Sequence, residues 1–459
     1  MYKYRKDVFA VKKITGIITA VVMTLIVTNC GILAKADSPV SRDILKVGLF
    51  YASTGKGQVT LQADSGLVIG YEDNYIFYEE YEADKNEMVF TLNDNGEILE
   101  YGSETAFDAN KKLAVYPKDG VINVDSKPYR GGIELLYGGD GITVINLVST
   151  DDYVKGVIAR EMPSHWAIEA LKAQAVCARN YAVTSLNKHS SYGFDLCDNT
   201  NCQVYGGVNA ETESTIRAAD ETSGVYLMYD GGLAETLFYS CNGGYTSESK
   251  YVWGSHIPYL IAKEDIYENE DECSKYNWHL TFTADEIKEK LSATGVEIGD
   301  IVDVEITDTT ESNQVYGLKI TGTDGEKTYV NDKVRGALGS GVLLSQRYTV
   351  DKAFESNTEY VALTADGKAE PCKLLYAYGA DKTNTAINTT PSVISANGTS
   401  TMSMVTSAYT FNGHGWGHGL GMSQYGAKGM ADKGHTYDEI LEFYYTGTYL
   451  EGESLIENQ

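Results

Sequence analysis

Ser149-Thr150-Asp151-Asp152-Tyr153-Val154-Lys155-Gly156-Val157-Ile158-Ala159-Arg160-Glu161-Met162-Pro163 is where the chain changes its hydrophobic period. Ser149 and Asp152 have the spacing of a helix start, and Tyr153, Val154, Val157 and Ile158 share one helical face. Pro163 predicts that this short helix stops near Glu161. Upstream, from 44 to 148, short runs such as Val59-Thr60-Leu61-Gln62 and Ile142-Thr143-Val144-Ile145 are divided by Gly, Asp and Asn. That alternation reads as antiparallel strands. Downstream, 164–186 is a second and longer helix, in which Ala167, Ala170, Ala173, Ala175, Ala178 and Ala182 combine high propensity with room for close packing.

Strand-like runs return after Val225, interrupted by one expected helix over 284–291. The stretch 382–407 is rich in Ser, Thr and Asn with few large apolar residues, and reads as a mobile surface insert whose Asn-X-Thr triplets are incidental. The segment 412–449 opens Gly-rich and ends in two short helices, the second started by Thr436 and Glu439 at capping-box spacing. Together these predict an α+β fold, a mainly antiparallel β framework with an inserted helical segment and a substrate groove.

The chain has 459 residues, 43% of them hydrophobic, which allows a substantial core. Its net charge of -27 sets up a field that repels phosphate backbones and argues against nucleic acid as a partner. The 35 tyrosines suit half-buried strands first and sugar surfaces second. At the N-terminus, Lys3, Arg5, Lys6, Lys12 and Lys13 precede an uncharged run over 14–33 and then Ala34-Lys35-Ala36. Residues 1–36 therefore read as a signal peptide or a signal anchor, placing the rest outside the cytoplasm, secreted or held to the membrane by that segment alone.

Glu161 is the residue best placed for proton chemistry. A carboxyl acts as an acid at neutral pH only where its surroundings raise its pKa, and a helix C-terminus beside Met162, Pro163 and Trp166 would do so. Arg160 would act oppositely if it pointed the same way. No second carboxylate announces itself as the partner that an ordinary glycosidase requires. His189, Cys197 and Cys202 fall in one loop and are ligand types that suit zinc. A Cys197–Cys202 disulfide and free thiols stay open beside zinc. In the Gly-rich segment, period-two spacing would put His414, Trp416 and His418 on one face, with Gly415, Gly417 and Gly419 opposite; a tightly packed strand is the competing reading. The run 421–428 narrowly misses a phosphate-binding loop. Cys241 would be a nucleophile only beside a histidine, Cys177 reads as core, and Gln174 and Arg179, five apart, point in different directions.

Arg160-Glu161-Met162-Pro163, Glu169-Ala170-Leu171-Lys172-Ala173-Gln174-Ala175-Val176 and Arg179 resemble the signature of the SpoIID/LytB family. The likeness continues through Cys202-Gln203-Val204-Tyr205-Gly206-Gly207, Gly243-Gly244-Tyr245-Thr246, Val252-Trp253-Gly254, Pro258-Tyr259-Leu260 and the run from Gly413 to Ala427. The resemblance implies one domain over 45–449, comprising a β-rich part (45–148), the catalytic helical and Cys/His segment (149–224), a second β-rich part (225–381), the insert (382–407) and the Gly-rich segment with C-terminal helices (412–449).

It further implies a lytic transglycosylase acting on peptidoglycan glycan strands already stripped of stem peptides. Glu161 would be the acid/base, and Gln174, Gln203, Tyr205, His414, His418, Ser423, Gln424 and Tyr425 would position the glycan. The family's zinc-binding members suggest a structural zinc on His189, Cys197 and Cys202. Asn201 stands where many members have His, so the fourth ligand has no candidate. The amidase-enhancer branch implies the rival function, a non-catalytic glycan-binding module that stimulates a cell-wall amidase.

Overall fold

The computed structural model describes residues 44–452, except for stretches between 357 and 403 where only short strands are described and no side chains from 354 to 405. The expected export segment lies outside the described residues. Of the 382–407 insert, the described backbone is paired: Tyr376–Tyr378 with Asn384–Ala386, and Ser392–Ser395 with Gly398–Thr401.

The expected antiparallel framework is present as a seven-stranded sheet and a five-stranded sheet, both drawn largely from the first third of the chain. At the edge that matters for the site, Ile44–Phe50 lies between Ile142–Ser149, antiparallel, and the short parallel strand Leu196–Cys197. Ile142–Ser149 is buried along nearly its whole length and runs straight into helix α1 (Thr150–Glu161).

α1 begins as its sequence dictates, the Ser149 side chain accepting from the Asp152 N–H at 3.1 Å. It ends on Glu161 because Met162, preceding a proline, is driven to an extended conformation (φ −126°, ψ 142°). α2 (Ile168–Thr184) is shorter than the expected 164–186, since residues 163–167 form the turn between the helices. Its alanines at 170, 173, 175, 178 and 182 are all fully buried, which lets α1, α3 (Glu213–Glu221) and two later helices approach closely.

The fully buried Arg179 pins this bundle together. It bonds Asp151 in the first turn of α1 at 2.8 and 2.9 Å and the carbonyls of Ala219 and Val225 at 3.4 and 3.3 Å. Its role is structural, and Gln174 does not share it.

Beyond α4 (Ser249–Trp253) the chain builds a second hydrophobic core around α5 (Ala284–Ala293) and the strands Asn277–Thr283, Ile301–Thr309, Val315–Gly322, Tyr348–Ser356 and Met404–His414. The chain enters and leaves this part side by side, Asn277 being the register partner of His414. It then returns to the first core with α6 (Gln424–Asp432) and α7 (Tyr437–Tyr444), whose Met430, Ile440, Leu441 and Tyr444 pack there. The Thr436–Glu439 capping box is formed, Glu439 accepting from the Thr436 N–H at 3.1 Å.

Candidate active site

Glu161 stands at the meeting of three segments. α1 carries it, the loop after the Cys/His segment brings the Val204 N–H to its carboxylate, and the start of α6 brings the Gln424 side chain. Burial raises its pKa above the ordinary carboxylate range, and those two hydrogen bonds oppose the rise. Met162 and Trp166, expected beside it, are both buried, and Trp166 meets Tyr425 edge to face at 5.0 Å. Arg160 is exposed and its guanidinium lies against Gly206, where a Cβ would come within 2.6 Å of Nε. It does not counter the rise. A half-buried carboxyl with a raised pKa, one backbone donor and one amide donor is equipped to give a proton and take it back.

Among the residues expected to line a groove, Gln424 is at Glu161, Tyr425 packs on Trp166, and several others are buried. Tyr205 is buried, stacks near Tyr153 at 5.0 Å and donates to Asn146 Oδ1 at 2.9 Å. Gln203 is buried and accepts from the Tyr153 hydroxyl at 3.3 Å. Both serve the core that holds the Val204 backbone in place. Gln174 is fully buried in α2, without a hydrogen-bond partner among the described residues. Ser423 is fully buried as the N-cap of α6, accepting from the Gly426 N–H at 3.1 Å. Motif spacing does not report burial, and these four side chains are buried in the framework.

The Gly-rich segment is not a strand past His414. Gly415, Gly417, Gly419 and Gly421 all have positive φ, so the period-two face of His414, Trp416 and His418 does not form. At Gly421 (φ 76°) a Cβ would sit 2.1 Å from the Leu237 carbonyl oxygen, so the glycine serves close backbone packing. His414 is exposed and bonds Asn277 Oδ1 at 2.7 Å through Nδ1. His418 accepts from the Leu420 N–H at 3.0 Å and packs on Tyr239; burial, with Arg335 nearby, pushes it down to about 4, so it is neutral.

A second carboxylate that the sequence did not announce lies beside Ser423. Glu268 accepts from the N–H groups of Asn242 (2.6 Å) and Gly243 (2.8 Å) and from the Ser423 hydroxyl, and burial together with Asp265 pushes it up to about 7. Asn242-Gly243-Gly244 was the only local signal, a turn whose left-handed glycines turn N–H groups inward. The Cys241 thiol faces Cys273 Sγ at 2.7 Å rather than a histidine, so it is not a paired nucleophile.

His189, Cys197 and Cys202 do converge, their ligand atoms all lying within 4.8 Å of one another. His189 Nε2 is 3.3 Å from Cys202 Sγ, near the edge of about 3.6 Å between nitrogen and sulfur ligands of a tetrahedral zinc. Cys197 and Cys202 are free thiols.

Residues 138–229, which span α1, α2, α3 and the Cys/His loop, match the family model described as stage II sporulation protein, SpoIID. The amidase enhancer of Bacillus subtilis (strain 168) is 34% identical over 309 residues, covering 65% of this chain and 40% of that protein. Stage II sporulation protein D of the same organism is 28% identical over 369 residues, covering 75% of this chain and 89% of its own length. Residues 138–229 form a SpoIID-type segment, and the chain is similar to SpoIID/LytB proteins. Residues 254–368 also match a domain of unknown function, DUF8618, which covers much of the second core. The family-matched segment supplies Glu161 and Val204, while Gln424 comes from beyond both matches.

Proposed function

We propose that this chain is a peptidoglycan lytic transglycosylase acting on glycan strands stripped of stem peptides. The observation that carries this is Glu161, a carboxyl whose pKa is raised by burial and which meets the Val204 N–H and the Gln424 side chain. In the proposed reaction Glu161 gives its proton to the glycosidic oxygen that leaves. The resulting carboxylate takes the proton from the 6-hydroxyl of the muramic sugar as that oxygen bonds to the anomeric carbon. One C–O bond breaks, one forms, and no water is consumed, so the product is an anhydro end.

Zinc on His189, Cys197 and Cys202 is part of the same proposal and would be structural. Cys197 pairs with Gly48 in the sheet, so a metal there would brace the loop that delivers the Val204 N–H. The second reading is a non-catalytic enhancer of a cell-wall amidase, favoured by the name of the 34% identical relative.

The deciding experiment is mass spectrometry of amidase-stripped peptidoglycan after incubation with the wild-type protein and with Glu161→Gln. Anhydro ends from the wild type alone support the transglycosylase. Reducing ends would replace it with hydrolysis and turn attention to Glu268. Binding without cleavage by both proteins would leave the enhancer.

A further inference from the structure

A cleft of about 830 Å³, whose lining does not include Glu161, lies between the first core and the DUF8618-matched part. Its size is within the range of about 300–1,000 Å³ usual for small-molecule sites. Two tryptophans line it with their rings left in solvent, Trp253 at 43% and Trp416 at 49% exposure. Neither ring is on loose chain. Trp416 exchanges backbone hydrogen bonds with Cys241 at 2.7 and 3.2 Å, and Gly417 bonds Leu344 O at 3.0 Å. Trp253 ends α4 against the left-handed Gly254, whose Cβ would meet Asn331 Nδ2 at 3.0 Å. Rigid backbone holding large aromatic faces out of the core is a recognition device, not a packing one.

The charge of the cleft is opposite to that of the chain. Against a net charge of -27, Lys333 stands exposed at the wall without an ion pair among the described residues, and Arg335 is beside it, 3.2 Å from Asp332. Arg335 also lies near His418 in the Gly-rich segment, which runs on to Met422, Ser423 and Gln424 at Glu161. The cleft and the candidate active site are thus two stations along one stretch of backbone.

We propose that this cleft is a glycan subsite in which Trp253 and Trp416 stack on sugar faces while Lys333 and Arg335 receive a carboxylate. It rests on the proposed substrate class and assigns the residues that would select it. Removing a stem peptide uncovers the lactyl carboxylate of each muramic residue, so the cleft selects stripped strands over intact ones by charge.

The test uses the full chain carrying Glu161→Gln, so that ligand is not consumed, with calorimetric titration by two probes. One is a glycan oligosaccharide from amidase-stripped peptidoglycan, and the other a chitin oligosaccharide of equal length, which lacks the carboxylate. Trp253→Ala and Trp416→Ala are each expected to weaken both probes about tenfold. Lys333→Glu is expected to weaken only the carboxylate-bearing probe. Thermal melts matching the parent show that these exposed substitutions leave the fold intact. Unchanged affinity in both tryptophan variants, or an equal effect of Lys333→Glu on the two probes, overturns the subsite. The two readings fail separately: loss of binding in the cleft variants with no cleavage by Glu161-containing protein removes the chemistry and keeps the subsite, while cleavage with unaltered binding does the reverse.

Discussion

Replacing Gln424 by Leu keeps bulk at a position only 8% exposed and deletes the amide that holds the Glu161 carboxylate. A hydrogen bond to a charged group contributes about 1.5–3 kcal/mol, so the ionised form loses that much relative to the acid. The protonation equilibrium then moves by about ten- to a hundredfold toward the acid. Burial already raises the Glu161 pKa and Gln424 restrains the rise, so removing the restraint raises it further. A proton donor is present below its pKa and is lost as pH rises through it. The alkaline fall of kcat/KM for cleavage of amidase-stripped strands is therefore expected at higher pH in Gln424→Leu than in the wild type. Stability follows the same sign: the contribution of a raised carboxyl is complete below its unfolded pKa and disappears as pH rises through the folded one. Initial rates across a pH series, with a melt at each pH, make the measurement. An alkaline limb that stays in place in a folded variant refutes the assignment of Gln424 as the group that sets the acidity of Glu161.

Arg179→Met should lower stability by about 3 kcal/mol, since it removes the buried guanidinium that ties Asp151 to the carbonyls of Ala219 and Val225; at about 2 °C per kcal/mol for a large domain this is a fall of about 6 °C in Tm, and an unchanged melt would show that the clamp contributes nothing. Protein purified without chelator should contain one zinc per chain by elemental mass spectrometry and lose it in His189→Ala; a content near zero in the wild type ends the zinc proposal. Cys241 and Cys273, with sulfurs 2.7 Å apart, should be joined by thiol–disulfide exchange with oxidised glutathione and appear as one linked peptide in a non-reducing digest. Recovery of both as separately alkylated peptides would contradict that.

The helices were legible where local chemistry decides them. Ser149, Pro163 and the alanine series placed α1 and α2, and Thr436 with Glu439 placed α7, because caps and breakers act within a few residues. α3 passed unread, since its apolar face is short and its Thr212 cap is flanked by other polar residues. At the site, Glu161 was readable because its helix end and apolar neighbours are local. Val204 and Gln424 as its partners were not separable from Gln203, Tyr205 and Ser423, which stand next to them in the same motifs. Adjacent side chains in a turn leave in different directions, and which enters the core depends on Tyr153, Asn146 and Glu268. The glycines misled for a similar reason: alternation suggested a strand, but positive φ at each of them bends the chain away.

The excursion that leaves the first core at Asn277 and rejoins it after His414 has a consequence for the order of folding. α2 is made early, yet the surface it offers to α6 and α7 stays uncovered until the whole second core has been synthesised. The two halves of the proton site therefore meet only by closing a very long loop, one of the slow steps in folding. A newly made chain holds Glu161 without Gln424, so the last helices to appear are those that complete the acid.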